Sequence, residues 1–153
     1  MSLIKNSPTW VTGEHKIFAD STRKLFDAEM APNIDKWVEN GIVDREFWTT
    51  VGEQGVMGGS IAEEYGGFGG DIGFDAITIY EQGRTGDTGW GYGIQTIVIH
   101  YIEAYGSEEQ KKKWLPRLIS GESVAAIAMT EPGTGSDLQN VQTHAEKDGN
   151  HYK

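Results

Sequence analysis

The segment from residue 123 to residue 137, SVAAIAMTEPGTGSD, constrains the fold most strongly, because it interrupts a chain of otherwise helical pattern. Its first half is a small-residue, β-prone run that stops at Pro132, which lacks a backbone N–H donor and biases Glu131 towards an extended conformation. Gly133 and Gly135 follow, and glycine can adopt positive φ angles and lets a ligand approach the backbone. Such a loop can bind phosphate or a heteroaromatic edge through main-chain hydrogen bonds, although a tight surface turn explains the same residues equally well. The hydroxyl groups in the segment belong to Ser123, Thr130, Thr134 and Ser136.

Composition excludes several kinds of function. The formal net charge of −10 argues against binding nucleic acid, which requires a basic surface, and against binding an anionic membrane. The chain contains no cysteine, so disulfides and thiolate metal sites are excluded. His100 and Glu103 are three residues apart, but the spacing places no third ligand beside them, so no metal site is expected. The amino terminus lacks the apolar region of a signal peptide, and we therefore expect a cytoplasmic protein.

The spacing of apolar residues predicts helices along most of the first 121 residues. Between Ile17 and Val38, apolar residues recur every three or four positions, which predicts a helix with one apolar face. Pro32 lies inside this pattern and predicts a kink or short break near Ala31. Gly41 is well suited to end the helix. The predicted inward-facing residues are Ile17, Leu25, Ala28, Ala31, Ile34, Trp37 and Val38.

Local capping signals place the shorter helices. Asp44 is expected to cap a helix over Arg45–Gln54, and a loop over Val56–Gly73 leads to a helix over Gly73–Arg84. Ser107 and Gln110 form a capping box, so they are expected to begin the last helix, which ends near residue 121. The predicted inward-facing residues of the first of these helices are Phe47, Trp48 and Val51.

The longest helical pattern covers Thr88–Tyr105 and is apolar on more than one side, which is typical of a central helix. Its second side mixes polar and apolar residues, as the wall of a pocket or ordinary core packing would. The first side contains Ile94, Ile97, Val98, Tyr101, Ile102 and Tyr105, and the second contains Tyr92, Gln95, Thr96, Ile99 and Glu103.

The hydrophobic period changes after Gly121. Ser123–Met129 and Val141–Glu146 are short β-prone runs, and Asp148-Gly149-Asn150 has the composition of a hairpin turn. The sequence therefore predicts a mainly α fold: a helical amino-terminal domain over residues 1–121, followed over residues 122–153 by the first strands of an incomplete β domain.

Three segments, in the correct order, resemble the acyl-CoA dehydrogenase family. Ala128–Asp137 resembles the flavin-contacting signature of that family, and Leu138–Ala145 is most similar to its long-chain branch. Glu63–Gly70 and Tyr105–Pro116 match upstream. The resemblance extends from about Ile17 to the last residue.

The resemblance implies an amino-terminal helical domain, a β-barrel middle domain and an FAD cofactor. Enzymes of this family oxidise an acyl-CoA thioester to the trans-2-enoyl-CoA in fatty acid β-oxidation, and the flavin supplies the redox chemistry. A carboxylate removes the α-proton while the β-hydride passes to the flavin. The family also implies electron-transfer flavoprotein as redox partner and a homo-oligomer. Within the loop over Val56–Gly73, it implies that Phe68 is a packing anchor.

Matched position by position, the resemblance implies that Ile127–Ser136 lies along the flavin. Met129 and Thr130 would contact the edge of the ring, and Gly135 and Ser136 would contact the ribityl–diphosphate region. The predicted cofactor-binding residues are Ile127, Ala128, Met129, Thr130, Gly135 and Ser136, and the predicted substrate-binding residues are Ser136, Tyr92, Gln95 and Thr96.

No catalytic residue is assigned in this chain. In the family, a carboxyl-terminal helical domain supplies the catalytic carboxylate and contacts that bind FAD from the neighbouring subunit, whereas Glu131 matches a structural position. We therefore expect these 153 residues to be the amino-terminal portion of an enzyme and to be inactive alone.

Two alternatives remain open at this point. One is an acyl-CoA oxidase or flavin monooxygenase of the same fold, although the TEPGTGSD match favours the dehydrogenase. The other is a non-catalytic helical interaction module whose strands pair with a partner.

Overall fold

Helices occupy most of the chain up to residue 119 in the computed structural model, which describes residues 8–153. The predicted mainly α fold is therefore confirmed. The first seven residues, on which part of the amino-terminal interpretation rests, lie outside the described residues. The helices are α1 (Gly13–Leu25), α2 (Ile34–Asn40), α3 (Arg45–Glu53), α4 (Gly73–Thr85), α5 (Tyr92–Tyr105) and α6 (Glu108–Ile119), and the strands are β1 (Lys147–Asp148) and β2 (His151–Tyr152).

The predicted break at Pro32 is confirmed. A π-turn over Phe26–Met30 and a 3₁₀ turn over Ala31–Asn33 separate α1 from α2. Proline cannot donate the hydrogen bond that a regular helix requires, so the irregular turns lie where the ladder must be interrupted. Gly41 ends α2 in the left-handed conformation, with φ of 69°, as predicted.

The predicted apolar face of this helical region is correct at Trp37, which is buried, and wrong at Ile17, Ala28, Ala31 and Val38, which are exposed. Ile17 and Val38 are each 73% exposed, whereas the polar residues His15 and Thr22 are buried. The π-turn also shifts the phase of the residues that follow Leu25, so no single helical stripe continues through it. The buried residues of the region are His15, Phe18, Ala19, Thr22, Phe26, Met30 and Trp37.

A buried carboxylate fixes α1 against α4. Glu81 is fully buried, and the guanidinium of Arg23 donates to both of its oxygens, at 3.0 and 2.6 Å. The Nε atom of Arg84 donates to the same carboxylate at 2.8 Å, and its Nη2 atom donates to Asp27 at 2.5 Å. These hydrogen bonds offset the cost of removing a charge from water.

An aromatic core joins α3, the π-turn and the start of α5. The ring of Trp90 stacks on Tyr92 with centroids 5.0 Å apart, and its other neighbours are Phe26, Phe47 and Trp48. The predicted burial of the inward face of α3 is confirmed. The predicted side-chain cap at Asp44 is wrong, because its carboxylate accepts a hydrogen bond from Lys36 instead.

The stretch between α3 and α4 is a loop, as predicted, with a 3₁₀ turn over Glu63–Tyr65. It is a packed loop, since the side chains of Val56, Met57 and Ile61 are buried. Phe68 is half exposed, and its ring packs against Gly55, where a Cβ atom would be 2.2 Å from the ring.

The two sides of α5 have the opposite environments to those that their composition suggests. The strongly apolar side is partly exposed at Ile94, Ile97 and Tyr101. The mixed side is buried except at Glu103. The predicted capping box of α6 is confirmed, because Ser107 and Gln110 exchange both hydrogen bonds. No helix among residues 8–153 is long and apolar enough to cross a membrane.

The last thirty residues contain little regular structure. Ser123–Met129 and Val141–Glu146 are not strands, because within the described part of the chain no strand pairs with Ser123–Met129, and in Val141–Glu146 only Glu146 exchanges backbone hydrogen bonds, with Lys153. The predicted hairpin is confirmed at Asp148–His151, where β1 and β2 pair antiparallel and Gly149 has φ of 62°.

Candidate functional site

The segment that carries the TEPGTGSD motif follows the helical body, by which we mean residues 8–121. The two meet at a close backbone contact. A Cβ atom at Gly121 would lie 2.1 Å from the carbonyl oxygen of Trp48, and one at Gly52 would lie 2.1 Å from that of Ser120. Gly121 also has φ of 73°, which favours glycine. The backbone of α3 and the chain after α6 therefore touch directly.

The side-chain amide of Gln95 binds this exit segment. Its Nε2 atom donates to the carbonyl oxygens of Leu118, at 2.9 Å, and Ser123, at 3.0 Å. Its Oε1 atom accepts a hydrogen bond from the backbone N–H of Ala125 at 2.8 Å. Gln95 is fully buried in α5, so the segment is attached to the centre of the helical body.

Arginine side chains hold the same junction from the surface. The Nη2 atom of Arg45 donates to the carbonyl oxygen of Glu122 at 2.5 Å. Arg117 donates to the carboxylate of Glu122 at 3.0 Å, and its own carbonyl accepts from the N–H of Ser123 at 2.9 Å. The position of the chain is thus fixed up to residue 125.

Beyond this junction, the predicted cofactor-binding residues Ile127–Thr130 form an extended, exposed stretch. Within residues 8–153, their backbone N–H and C=O groups have no hydrogen-bond partner. The side chain of Met129 is 40% exposed. An extended backbone with unpaired donors and small neighbours is the arrangement that main-chain binding of a heteroaromatic edge requires.

A tight turn follows the stretch and leads to Gly135 and Ser136. Glu131 and Thr134 exchange backbone hydrogen bonds of 3.2 and 2.9 Å across the turn. A Cβ atom at Gly133 or Gly135 would meet nothing within 4 Å, so open space adjoins both glycines. The backbone N–H groups of Gly135 and Ser136 also lack partners within the described part of the chain. These groups fit the oxygens of a diphosphate.

The Glu131 carboxylate organises the loop. It accepts hydrogen bonds from the hydroxyl of Thr143, from the backbone N–H of Gln142 at 2.6 Å and from that of Thr143 at 3.0 Å. The Thr143 hydroxyl, followed by these N–H donors, holds the pKa of Glu131 below its usual value. A carboxylate used in this way holds the loop closed, which agrees with the structural role that the resemblance implies.

The predicted substrate-binding residues on α5 have internal partners. Tyr92 and Thr96 donate to the Oδ1 atom of Asp75 at 2.5 and 3.1 Å. Ser60 donates to Oδ2 at 2.5 Å, and the Nε2 atom of His100 lies 3.0 Å from it. That Tyr92, Gln95, Thr96 and Ser136 bind substrate stays a prediction.

Asp75 was not predicted from the sequence. Burial raises the pKa of its carboxyl, but hydrogen bonds from Ser60, Tyr92, His100 and Thr96 outweigh this effect and lower it. Burial and the Asp75 charge raise the pKa of Tyr92 well above its ordinary value, so Tyr92 stays a neutral donor. The polar residues at intervals of four on α5 were the available signal, since such a stripe requires a polar partner inside the fold.

Two hollows adjoin these groups. One, of about 360 Å³, lies between α4 and α5, and its lining residues include Ile79, Ile97 and Asp75. The other, of about 710 Å³, lies beside the exit segment and is lined by Trp48, Val124 and neighbouring residues. Residues 8–153 contain no group of three or more His, Asp or Glu side chains that could hold a metal ion.

Comparison with known proteins identifies the family. The family model described as the N-terminal domain of acyl-CoA dehydrogenase matches residues 12–122. The mitochondrial long-chain specific acyl-CoA dehydrogenase of Sus scrofa is 47% identical over 142 residues, which are 92% of this chain and 33% of that protein. The chain thus spans about a third of the length of the long-chain specific relatives that it matches.

Solved structures agree with this comparison. The crystal structure of an acyl-CoA dehydrogenase from Geobacillus kaustophilus has a TM-score of 0.88 and 40% identity, and the match covers 95% of this chain and 39% of that one. A Bacillus anthracis acyl-CoA dehydrogenase complexed with FAD has a TM-score of 0.76 and 32% identity, over 95% of this chain and 26% of that one. The chain therefore belongs to the acyl-CoA dehydrogenase family and contains its amino-terminal helical domain.

Proposed function

We propose that this chain forms the amino-terminal part of an FAD-dependent acyl-CoA dehydrogenase that converts an acyl-CoA thioester to the trans-2-enoyl-CoA. The observation that carries the proposal is the extended stretch over Ile127–Thr130, whose main-chain groups are unpaired within residues 8–153 and which follows a junction fixed by Gln95. Family membership supplies the reaction class, and the motif supplies the cofactor.

Each residue of the stretch has a proposed part in holding FAD. The backbones of Met129 and Thr130 bind the edge of the ring system, with Ile127 and Ala128 along it. Gly135 and Ser136 bind the ribityl–diphosphate region, where their free N–H groups and the open space support this assignment. FAD accepts the hydride from the β-carbon of the substrate when it is bound.

The chain's own groups supply positioning rather than proton transfer. Fixed donors near a reacting carbonyl or flavin edge contribute because they are oriented before the reaction begins. Glu131, the carboxylate within the motif, already accepts three strong hydrogen bonds. We therefore propose that the 153 residues alone do not turn over acyl-CoA, and that the α-proton is removed by a carboxylate from another part of the enzyme.

The substrate and partner assignments rest on the relatives. The relatives of 44–47% identity are named as long-chain specific enzymes, which favours a long acyl chain. Ser136 would lie close to the acyl-CoA, and Tyr92, Gln95 and Thr96 would form part of the acyl pocket only if their internal hydrogen bonds were exchanged. Electron-transfer flavoprotein as electron acceptor and assembly into a homo-oligomer follow from the family alone.

The cytoplasmic location expected from the amino terminus stays a prediction. The Sus scrofa relative is described as mitochondrial, so the mitochondrial matrix is the competing location.

The proposal is tested by replacing the amino-terminal third of the Sus scrofa enzyme with this chain. The intact Sus scrofa enzyme is the control, and circular dichroism with a cooperative melt reports whether the chimera folds. We expect a folded chimera to be yellow, to retain FAD in equilibrium dialysis and to oxidise a long-chain acyl-CoA with an artificial electron acceptor.

The isolated chain is assayed beside the chimera and should retain no stoichiometric FAD and show no turnover. A folded chimera without FAD would contradict the proposed function. Turnover by the isolated chain would contradict its proposed inactivity.

A further inference from the structure

We infer that Gln95 is a positioning residue that sets the direction in which residues 123–130 leave the helical body. What this inference implies for the flavin site rests on the proposed function. The attachment of residues 123–125 to Gln95, called the anchor below, does not depend on it. Within residues 8–153, the hydrogen-bond partners of the Gln95 side chain are all backbone atoms, at Leu118, Ser123 and Ala125.

The pattern of these contacts imitates a neighbouring strand. The carbonyl of residue 123 and the N–H of residue 125 flank residue 124 on one side of the extended chain. In a parallel sheet, one residue of the adjacent strand accepts from one of these groups and donates to the other. The amide of Gln95 makes both hydrogen bonds from a helix, and this explains how the segment is extended without a partner strand in the described chain.

Glutamine is the side chain that this position requires. The second N–H of Nε2 reaches the carbonyl of Leu118 in the last turn of α6, so the two donors and the acceptor are all used. Glutamate would place a carboxylate against two carbonyl oxygens, and asparagine is one methylene shorter. An apolar side chain would leave one N–H and two C=O groups without this partner, in a place that is buried at Leu118 and partly buried at Ser123 and Ala125.

The surrounding helices hold the side chain of Gln95 in place. Gln95 is fully buried, and the next residue, Thr96, is hydrogen-bonded to Asp75 on α4. Ile99, one turn further along α5, is packed in the same core as Leu115 and Leu118 of α6. The helical core therefore determines the direction of the backbone at residues 123–125.

Amide hydrogen exchange of the 153-residue chain, followed by NMR, tests the inference without a substitution. The N–H of Ala125 has a partner, whereas those of Ala126 and Ile127 in the same extended stretch have none within residues 8–153. We expect Ala125 to exchange at least about tenfold more slowly than these two, relative to unstructured peptides. Equal exchange at the three positions would overturn the inference.

The substitution Gln95→Met removes the amide while keeping the length of the side chain. We expect exchange at Ala125 to accelerate by about tenfold and ¹⁵N relaxation to report greater motion of residues 123–130. Amides in the middle of α6 should gain little motion on the timescale that ¹⁵N relaxation reports. Unchanged exchange and relaxation at Ala125 in the folded variant would overturn the inference.

The matched control is Gln82→Met. Gln82 is partly buried in α4 and donates to Asp87, at 2.9 Å, and to the carbonyl of Trp90, at 2.7 Å. Its loss should lower global stability without selectively releasing Ala125. An equal release of Ala125 in both variants would show a general structural effect and overturn the inference. Because these measurements contain no flavin, a folded chimera that fails to bind FAD would contradict the proposed function and leave the anchor intact.

Discussion

The helical body, up to residue 121, and the segment after it are stabilised in different ways. In the helical body, Trp90, Phe26 and Ile61 are almost entirely removed from solvent. In residues 122–153, Thr134 is the one residue that is buried, and the apolar side chains of Leu138 and Tyr152 are exposed. The two regions are continuous in the chain, but only the first has a core.

The difference shows where the shape of each region comes from. The helical body is held by contacts between side chains that are distant in sequence, such as those of Trp90 with Phe26 and Phe47. The segment is held by hydrogen bonds within its own loop at Glu131 and by its attachment to Gln95. Substitutions in the first region should therefore change global stability, and those in the second should change local order.

The largest effect is expected for Trp90→Ala. This substitution leaves a cavity beside Phe47, Trp48 and Tyr92, and should lower the free energy of unfolding by about 3 to 5 kcal/mol. The midpoint of urea denaturation measures it. The control is Trp114→Ala on the exposed face of α6, where the loss should stay below about 1 kcal/mol. Similar losses at both positions would remove the contrast between core and surface.

A smaller effect is expected for Asp75→Asn. The single NH₂ group of asparagine would point its donors either at Tyr92 and Thr96 or at Ser60, which are themselves donors, and the substitution should cost about 1 to 3 kcal/mol. Because the pKa of Asp75 is lowered in the folded state, its stabilising effect is complete above its unfolded pKa of about 3.9 and is lost as pH falls through the lower, folded pKa.

Urea denaturation between pH 3 and pH 7 measures both effects. The native chain should lose more stability at the acid end than the Asn variant, because that variant lacks this titration. An identical pH dependence in the two proteins would show that folding does not lower the pKa of Asp75.

The smallest global effect is expected for Glu131→Gln. The midpoint of denaturation should not change, because the segment has no core, but exchange at the amides of Gln142 and Thr143 should accelerate. In the native chain, protection of these amides should fall as pH drops through the lowered pKa of Glu131, below its usual value of about 4.3. Glu146→Gln, in the same segment, is the control. A shift of the global midpoint by Glu131→Gln would show that the two regions unfold together.

Features that depend on a few neighbouring residues could be predicted from the sequence. The Ser107–Gln110 capping box, the left-handed Gly41 and the hairpin at Gly149 each form within about four residues, so local chemistry determines them. The motif segment was recognised for the same reason, since its residues are contiguous.

Features that depend on distant partners could not be predicted. Ile17 is exposed and His15 is buried because α4 lies against one side of α1, and apolar spacing does not contain that information. On α5, the polar residues face inward because Asp75 and the backbone after α6 receive them. The role inferred for Gln95 was not visible, because its partners are backbone atoms 23 to 30 residues away.

Two pairs of glycines in this chain are under different structural constraints. Gly52 and Gly121 allow two backbones to touch, so any side chain at either position would obstruct folding itself. Gly133 and Gly135 adjoin open space, and a methyl group there would meet nothing in the described chain. Tolerance to substitution at the first pair is therefore a measure of foldability. At the second pair, tolerance to substitution instead measures what the loop must accommodate. Tolerance at one pair can change independently of tolerance at the other as the sequence diverges.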